Sequence, residues 1–167
     1  IMADPHEIAN VCGEQGLAYM VEAGTRTALD IKYELPSCVP ATPFENAGAV
    51  LGAREIEKLI PSNDFIGLGE FMNFPGVING DEEVHKKIEL AKTDGKPIDG
   101  HAPLVTREAL DKYLAAGIST DHECSNVLEA LEKKIKIENN IEKEIDNNRL
   151  FLEYQPGVDA KTKKIIG

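Results

Sequence analysis

The feature that most constrains this chain is a rhythm. Short apolar segments end at about residues 3, 35, 69, 101 and 121, and a helix-forming stretch follows each of them. A spacing of about 30 residues is that of a strand–helix unit, and a crossover helix forces the strands it joins to be parallel. Strands are expected over 28–35, from 65 to Glu70, over 97–101 and over 117–122. Helices are expected over 5–24, 53–60, 81–93, 106–116 and 125–135. The first of these starts at Asp4-Pro5 and sets Ile8, Val11, Cys12, Leu17 and Met20 on an apolar face. Eight such units and ~250 residues close a (β/α)8 barrel. With 167 residues and about five strand ends, the expected class is α/β, a partial (β/α)8 TIM barrel. A five-stranded doubly wound sheet is the alternative. Both folds bind their ligands at the C-terminal ends of the strands.

Those ends carry the chemistry-bearing residues. The run Phe65-Ile66-Gly67-Leu68-Gly69-Glu70 is a buried strand that finishes on a carboxylate, a costly placement without a cationic partner. The chain after it breaks into a loop at Pro75-Gly76 and Asn79-Gly80. The next two segments finish on histidines, His101 in Pro97-Ile98-Asp99-Gly100-His101 and His122 in Gly117-Ile118-Ser119-Thr120-Asp121-His122. Taken singly, each is an ordinary loop or surface residue, and Asp121-His122-Glu123 also reads as a helix N-terminus. Repetition changes the reading, because parallel strand ends lie ~4.8 Å apart and bring such residues together. One carboxylate and two imidazoles suit a divalent Mn, Fe or Zn ion. His6 and Glu7 stand at the end of the first strand, where function and a helix's first turn are both consistent with them. His85 is expected to face solvent. Cys38, in the proline-rich loop 36–43, is the cysteine placed at the rim of the site.

Charge and composition exclude several roles. The net charge of −11 argues against a nucleic-acid backbone or an anionic membrane as a partner. No apolar run approaches the ~20 residues of a membrane span. Three widely spaced cysteines, an odd number, point to a reducing, cytoplasmic setting. The chain opens on Ile1-Met2 without a basic-then-apolar leader pattern, as expected of a chain cut from something longer.

Five stretches resemble bacterial adenine deaminases of the amidohydrolase superfamily. They are Ala3-Asp4-Pro5-His6-Glu7-Ile8-Ala9-Asn10-Val11, Leu35-Pro36-Ser37-Cys38-Val39-Pro40-Ala41-Thr42-Pro43-Phe44-Glu45, Gly67-Leu68-Gly69-Glu70-Phe71-Met72-Asn73, Asp99-Gly100-His101-Ala102-Pro103 and Ser119-Thr120-Asp121-His122-Glu123-Cys124. The resemblance covers residues 1 to about 133. It implies a metal-dependent barrel that hydrolyses a purine base, adenine, to hypoxanthine and ammonia. Under it Glu70 is a carboxylate bridging two metals, and His101 and His122 are ligands from the next two strands. Asp4, His6, Glu7 and Asn73 fall where substrate contacts are expected. The superfamily's His-x-His pair and its eighth-strand Asp are not among these residues, so the 167-residue chain is expected to be incomplete and inactive by itself. An open partial barrel also exposes strand edges, and self-association, a homo-oligomer, is expected.

The tail has another character. Residues 132–167 carry a net charge of +1, whereas residues 1–131 carry −12. A charged helical run over 134–148 leads to an expected strand, Arg149-Leu150-Phe151-Leu152-Glu153-Tyr154-Gln155. Residues 141–156 and 158–167 resemble the opening of an EAL domain, the cyclic-di-GMP phosphodiesterase module, with Gln155 at a ligand-contacting position and the metal-binding carboxylates not encoded. Two segments are therefore expected, 1–133 and 134–167. The alternatives to a deaminase are a non-catalytic metal-binding remnant or fusion product, and a cyclic-di-GMP signalling fragment.

Overall fold

The structure, a computed structural model, describes residues 1–42 and 44–146. Four strands make one parallel sheet: β1 (Met2–Ala3), β2 (Lys32–Leu35), β3 (Phe65–Phe71) and β4 (Ile98–Gly100). They are hydrogen-bonded in the order β1-β2-β3-β4. A doubly wound sheet reverses its strand order at a switch point. This order never reverses, so the sheet is part of a barrel wall. β3 is buried or half-buried along its whole length, which is why its sequence reads as a continuous apolar run rather than an alternation.

The helices are α1 (His6–Cys12), α2 (Glu14–Gly24), α3 (Ala53–Leu59), α4 (Phe74–Asn79), α5 (Glu82–Thr93), α6 (Arg107–Ala115) and α7 (Val127–Asp146). Leu35, Ile56, Leu68, Phe71, Ile88 and Leu110 form the centre of the core between helices and sheet. Lys87 of α5 is buried among them. Its ammonium donates to Ser37 O at 2.9 Å and Leu51 O at 2.7 Å, tying the long loop after β2 to α5. Burial lowers its pKa, and hydrogen bonds to those carbonyls favour the charged form. Among the described residues no helix is long and apolar enough to cross a membrane.

Three local expectations are corrected. The single helix over 5–24 is two helices, broken at Gly13, whose φ is +58°. The break makes room for the loop after β2. The Asn10 carbonyl accepts from Gly48 N and Ala49 N, and a Cβ on Gly13 would lie 2.9 Å from Ala49 Cβ. Secondly, the loop expected after Glu70 contains α4. Asn73 Oδ1 accepts from Gly76 N at 3.0 Å as its N-cap, Pro75 sits in its first turn, and Gly80 ends it in the left-handed conformation.

The third correction concerns the expected fifth strand. Residues 117–122 run beside β4, with Ser119 N donating to Ile98 O at 3.3 Å, but they form no strand. Side chains take the place of the ladder. Thr120 Oγ1 bonds both Gly100 N and the Asp99 carboxylate, and Ser119 Oγ reaches Ile98 O. The helix expected over 125–135 starts at Val127 and continues without a break to Asp146, across the expected segment boundary at 133. The strand expected over 149–155 lies outside the described residues.

Candidate metal centre

Strand geometry assembles the site. Glu70 is the penultimate residue of β3, His101 follows β4 directly, and His122 ends the segment beside β4. His101 Nδ1 lies 2.7 Å from Glu70 Oε2, and His122 Nε2 lies 3.2 Å from the same oxygen. The two imidazoles stand edge to face with centroids 5.5 Å apart. From the other side, at the end of β1, His6 Nδ1 lies 3.3 Å from Glu70 Oε1 and 3.5 Å from Asp4 Oδ1. Two sets of donor atoms therefore share Glu70: Glu70 with His101 and His122, and Glu70 with Asp4 and His6, each lying within 4.8 Å of one another.

The backbone holds Glu70 in place. Asp4 Oδ2 accepts from Glu70 N at 2.9 Å, and Ser37 Oγ donates to Glu70 O at 2.7 Å. Gly69 is what lets Asp4 come so close, because a Cβ there would lie 2.3 Å from Asp4 Oδ2. His101 is held from α6: its backbone N–H donates to the Tyr113 hydroxyl at 3.0 Å, which donates in turn to Phe71 O at 3.1 Å. His122 Nδ1 lies 3.4 Å from Asp99 Oδ2, the kind of carboxylate support that orients a ligating imidazole.

Electrostatics are strained around this carboxylate-rich centre. The Asp4 carboxylate, 3.5 Å from its Nδ1, pushes the His6 pKa up to about 9, against the effect of burial, with Glu7 and Glu70 adding to it. Burial raises the Asp4 carboxyl above its ordinary value although His6 opposes this. Burial also lifts Glu34 to about 7, helped by the charges of Asp99, Asp4 and Glu70. Asp4 Oδ1, His6 Nδ1 and His101 Nδ1 are buried yet make no hydrogen bond. Unsatisfied buried polar atoms are expensive. Asp4 Oδ1 and His101 Nδ1 stand beside Glu70 and offer the oxygen and nitrogen lone pairs that a divalent ion takes, whereas His6 Nδ1, with its raised pKa, holds a proton there. The residues therefore fit the metal that the sequence pointed to.

Not every expected residue joins the cluster. Glu7 is 82% exposed and approaches only His6 Nε2, at 3.6 Å. The Asn73 side chain caps α4. It also lines a cleft of about 670 Å³ beneath the loop after β2, together with Cys38, Phe71 and Lys87. That cleft does not include Glu70, His101 or His122. Cys38 is buried, not at a rim: its Sγ accepts from Asn73 N at 3.3 Å, and burial pushes the thiol pKa up. His85 is half-buried, its Nε2 2.9 Å from Val77 O, where solvent exposure was expected.

Sequence reasoning missed Glu34, Asp99 and a buried lysine on α7, Lys133. Asp99 carried a usable signal, since it lies two residues before His101 and so on the same face of the strand. Glu34 carried one as well, a lone acid between Tyr33 and Leu35.

The sequence of the chain matches the amidohydrolase family over residues 2–154. It is 60% identical over 133 residues to "Adenine deaminase 2" of Desulfotalea psychrophila, covering 80% of this chain and 23% of that protein. It is 53% identical over 166 residues to "Adenine deaminase" of Clostridium acetobutylicum, covering 99% of this chain and 27% of that one. A third relative, "Adenine deaminase" of Methanothermobacter thermautotrophicus, is 50% identical over 133 residues, 80% of this chain and 25% of its own length. The chain thus spans about a quarter of the length of these curated relatives. Parallel strands in barrel order, a carboxylate and imidazoles gathered at their C-terminal ends, and a family match over most of its length together make this chain a member of the amidohydrolase family.

Proposed function

We propose that the chain provides part of the metal centre and substrate pocket of an adenine deaminase-like hydrolase. The reaction is adenine plus water to hypoxanthine plus ammonia: a C–O bond forms at C6 of the purine, the C–N bond breaks, and the departing amine takes up a proton. The observation that carries this reading is the convergence of His101, His122 and His6 on one carboxylate, Glu70. Glu70, His101 and His122 would hold a Mn, Fe or Zn ion, and the relatives, adenine deaminases by name, point to the substrate. A divalent ion in such a site supplies Lewis acidity and makes water a competent nucleophile at neutral pH. The remaining residues do the rest. Asp4 fixes the backbone of Glu70 with one oxygen and leaves the other free. His6, its pKa raised to about 9, balances the carboxylates and can hold or pass a proton beside Glu70. Substrate contacts for Glu7, at the surface beside His6, and for Asn73, whose side chain caps α4, are proposed on the family resemblance alone.

Metal binding is the direct test. The full chain should take up Mn²⁺ or Co²⁺, and His101→Ala should weaken that uptake at least about tenfold, since one of three donors is lost. Equal metal content in both proteins would sink this reading. Adenine supplied with Mn²⁺ should not be converted by these 167 residues alone, because the superfamily's other expected ligands are not among them. Formation of hypoxanthine would show that Glu70, His101 and His122 suffice.

The second segment, beyond about residue 133, is proposed on the charge change there and on relatives matched over 133 residues. The family match to residue 154 and the relative matched over 166 residues weigh the other way. Free Cys12, Cys38 and Cys124 support a reducing, cytoplasmic setting.

A further inference from the structure

Lys133 of α7 has no part in the chemistry above, yet its ammonium is among the most heavily bonded groups described. The residue is 2% exposed. Its Nζ donates to Ala102 O at 2.6 Å, Glu123 O at 2.7 Å and Glu129 Oε1 at 2.8 Å. It also pairs with Asp121 Oδ2 at 2.9 Å, out of line for a hydrogen bond. Ala102 is the residue after His101, and Asp121 and Glu123 flank His122. The two carboxylates complete the circuit. Asp121 Oδ1 accepts from Ala102 N at 3.4 Å and Glu123 N at 3.0 Å, and Glu129 accepts from Leu104 N at 2.7 Å and Ser125 N at 2.9 Å. Both histidine-bearing loops are thus fastened to one ammonium.

A buried charge of this kind is a poor way to gain stability, because apolar side chains of similar volume do as well or better. It does supply geometry that apolar packing cannot. The need for it is visible in the sheet. His101 leaves a strand paired by a ladder, but His122 leaves a segment that has none. Something other than strand pairing has to fix the second imidazole against the first.

We propose that Lys133 is a positioning residue that sets His101 and His122 at their mutual distance by clamping the loops that carry them. The inference rests on the reading of these two histidines as metal ligands. Its test uses the full chain, whose four histidines give a simple imidazole spectrum. Wild type, Lys133→Gln and Glu129→Gln are compared with Ile56→Ala, a core cavity made in α3, outside both loops, that costs stability. The ¹H–¹⁵N imidazole signals are recorded in chelator, and Co²⁺ affinity is then titrated. In Lys133→Gln the His101 and His122 signals should shift or broaden while His85 stays in place, and Co²⁺ affinity should fall about 10–100-fold. Glu129→Gln should move the same two signals less and serves as the deciding variant should Lys133→Gln fail to fold. Ile56→Ala should leave signals and affinity unchanged. Undisturbed His101 and His122 signals in the deciding variant would overturn the proposal, as would equal disturbance of all histidines by Ile56→Ala. A wild type that takes up no Co²⁺ would fell the metal reading, and the spectra recorded in chelator would still decide the clamp.

Discussion

Glu34 shares its surroundings with three other carboxylates, and that gives it an unusual pH dependence. Its pKa lies at about 7 in the fold against an ordinary 4.5, raised by burial first and then by Asp99, Asp4 and Glu70. An acid whose pKa is raised by folding keeps its proton longer in the folded chain than in the unfolded one. Its ionisation therefore removes stability as pH climbs from about 4.5 to about 7, and the loss is complete above that. Glu34→Gln, which cannot ionise, should gain on wild type in the same window. Urea midpoints measured in chelator at pH 5 and pH 8 should show the variant's relative advantage larger at pH 8. A constant difference at both values would mean that Glu34 ionises freely in the fold.

At the scale of elements, α6 bridges two strands through one hydroxyl. Tyr113 is fully buried and links Phe71 O at the end of β3 to His101 N just past β4. The pairing of β3 and β4 shifts register between Leu68 and Phe71, and the hydroxyl ties the two strands together just past that shift. Tyr113→Phe keeps the ring and strands both groups, which should cost about 1–3 kcal/mol in urea unfolding. An unchanged midpoint would mean that the hydroxyl contributes nothing to this junction.

The same scale explains what the sequence disclosed. The meeting of Glu70, His101 and His122 was legible because parallel units of similar length put their C-terminal ends side by side, whatever the details of each strand. The missing fifth strand was not legible. Ser119 and Thr120 have side chains that compete with a ladder, and their effect depends on where Ile98 and Asp99 stand across from them. Lys133 was hidden for a different reason. Glu129 and Lys133 are four residues apart, the usual mark of a solvated helix face, and only the packing of α7 on the loops reveals that this pair is interior.

The whole molecule presents surfaces that water does not favour. On α7, Leu128, Leu131 and Ile135 form one exposed stripe, with Leu128 at 80% exposure. β1 and the segment beside β4 lie at the two margins of the sheet. We expect the chain to self-associate, and sedimentation at tens of micromolar should show species larger than a monomer. Leu131→Lys with Ile135→Lys should shift the distribution toward monomer. A monodisperse wild-type monomer would go against this expectation.

The unreversed strand order also has a kinetic side. Each strand pairs with its neighbour in sequence, so every sheet contact closes a loop of roughly 30 residues and none waits for the far end of the chain. Such a wall can grow by one unit at a time as the polypeptide emerges during synthesis. At each stage the newest strand has one side unpaired, ready for the next arrival and equally open to a wrong one. Glu70 is synthesised two units before His122, so in such growth the histidine loops would fold onto a carboxylate already held by Asp4 and Ser37, and the Lys133 clamp would close only after both loops had formed.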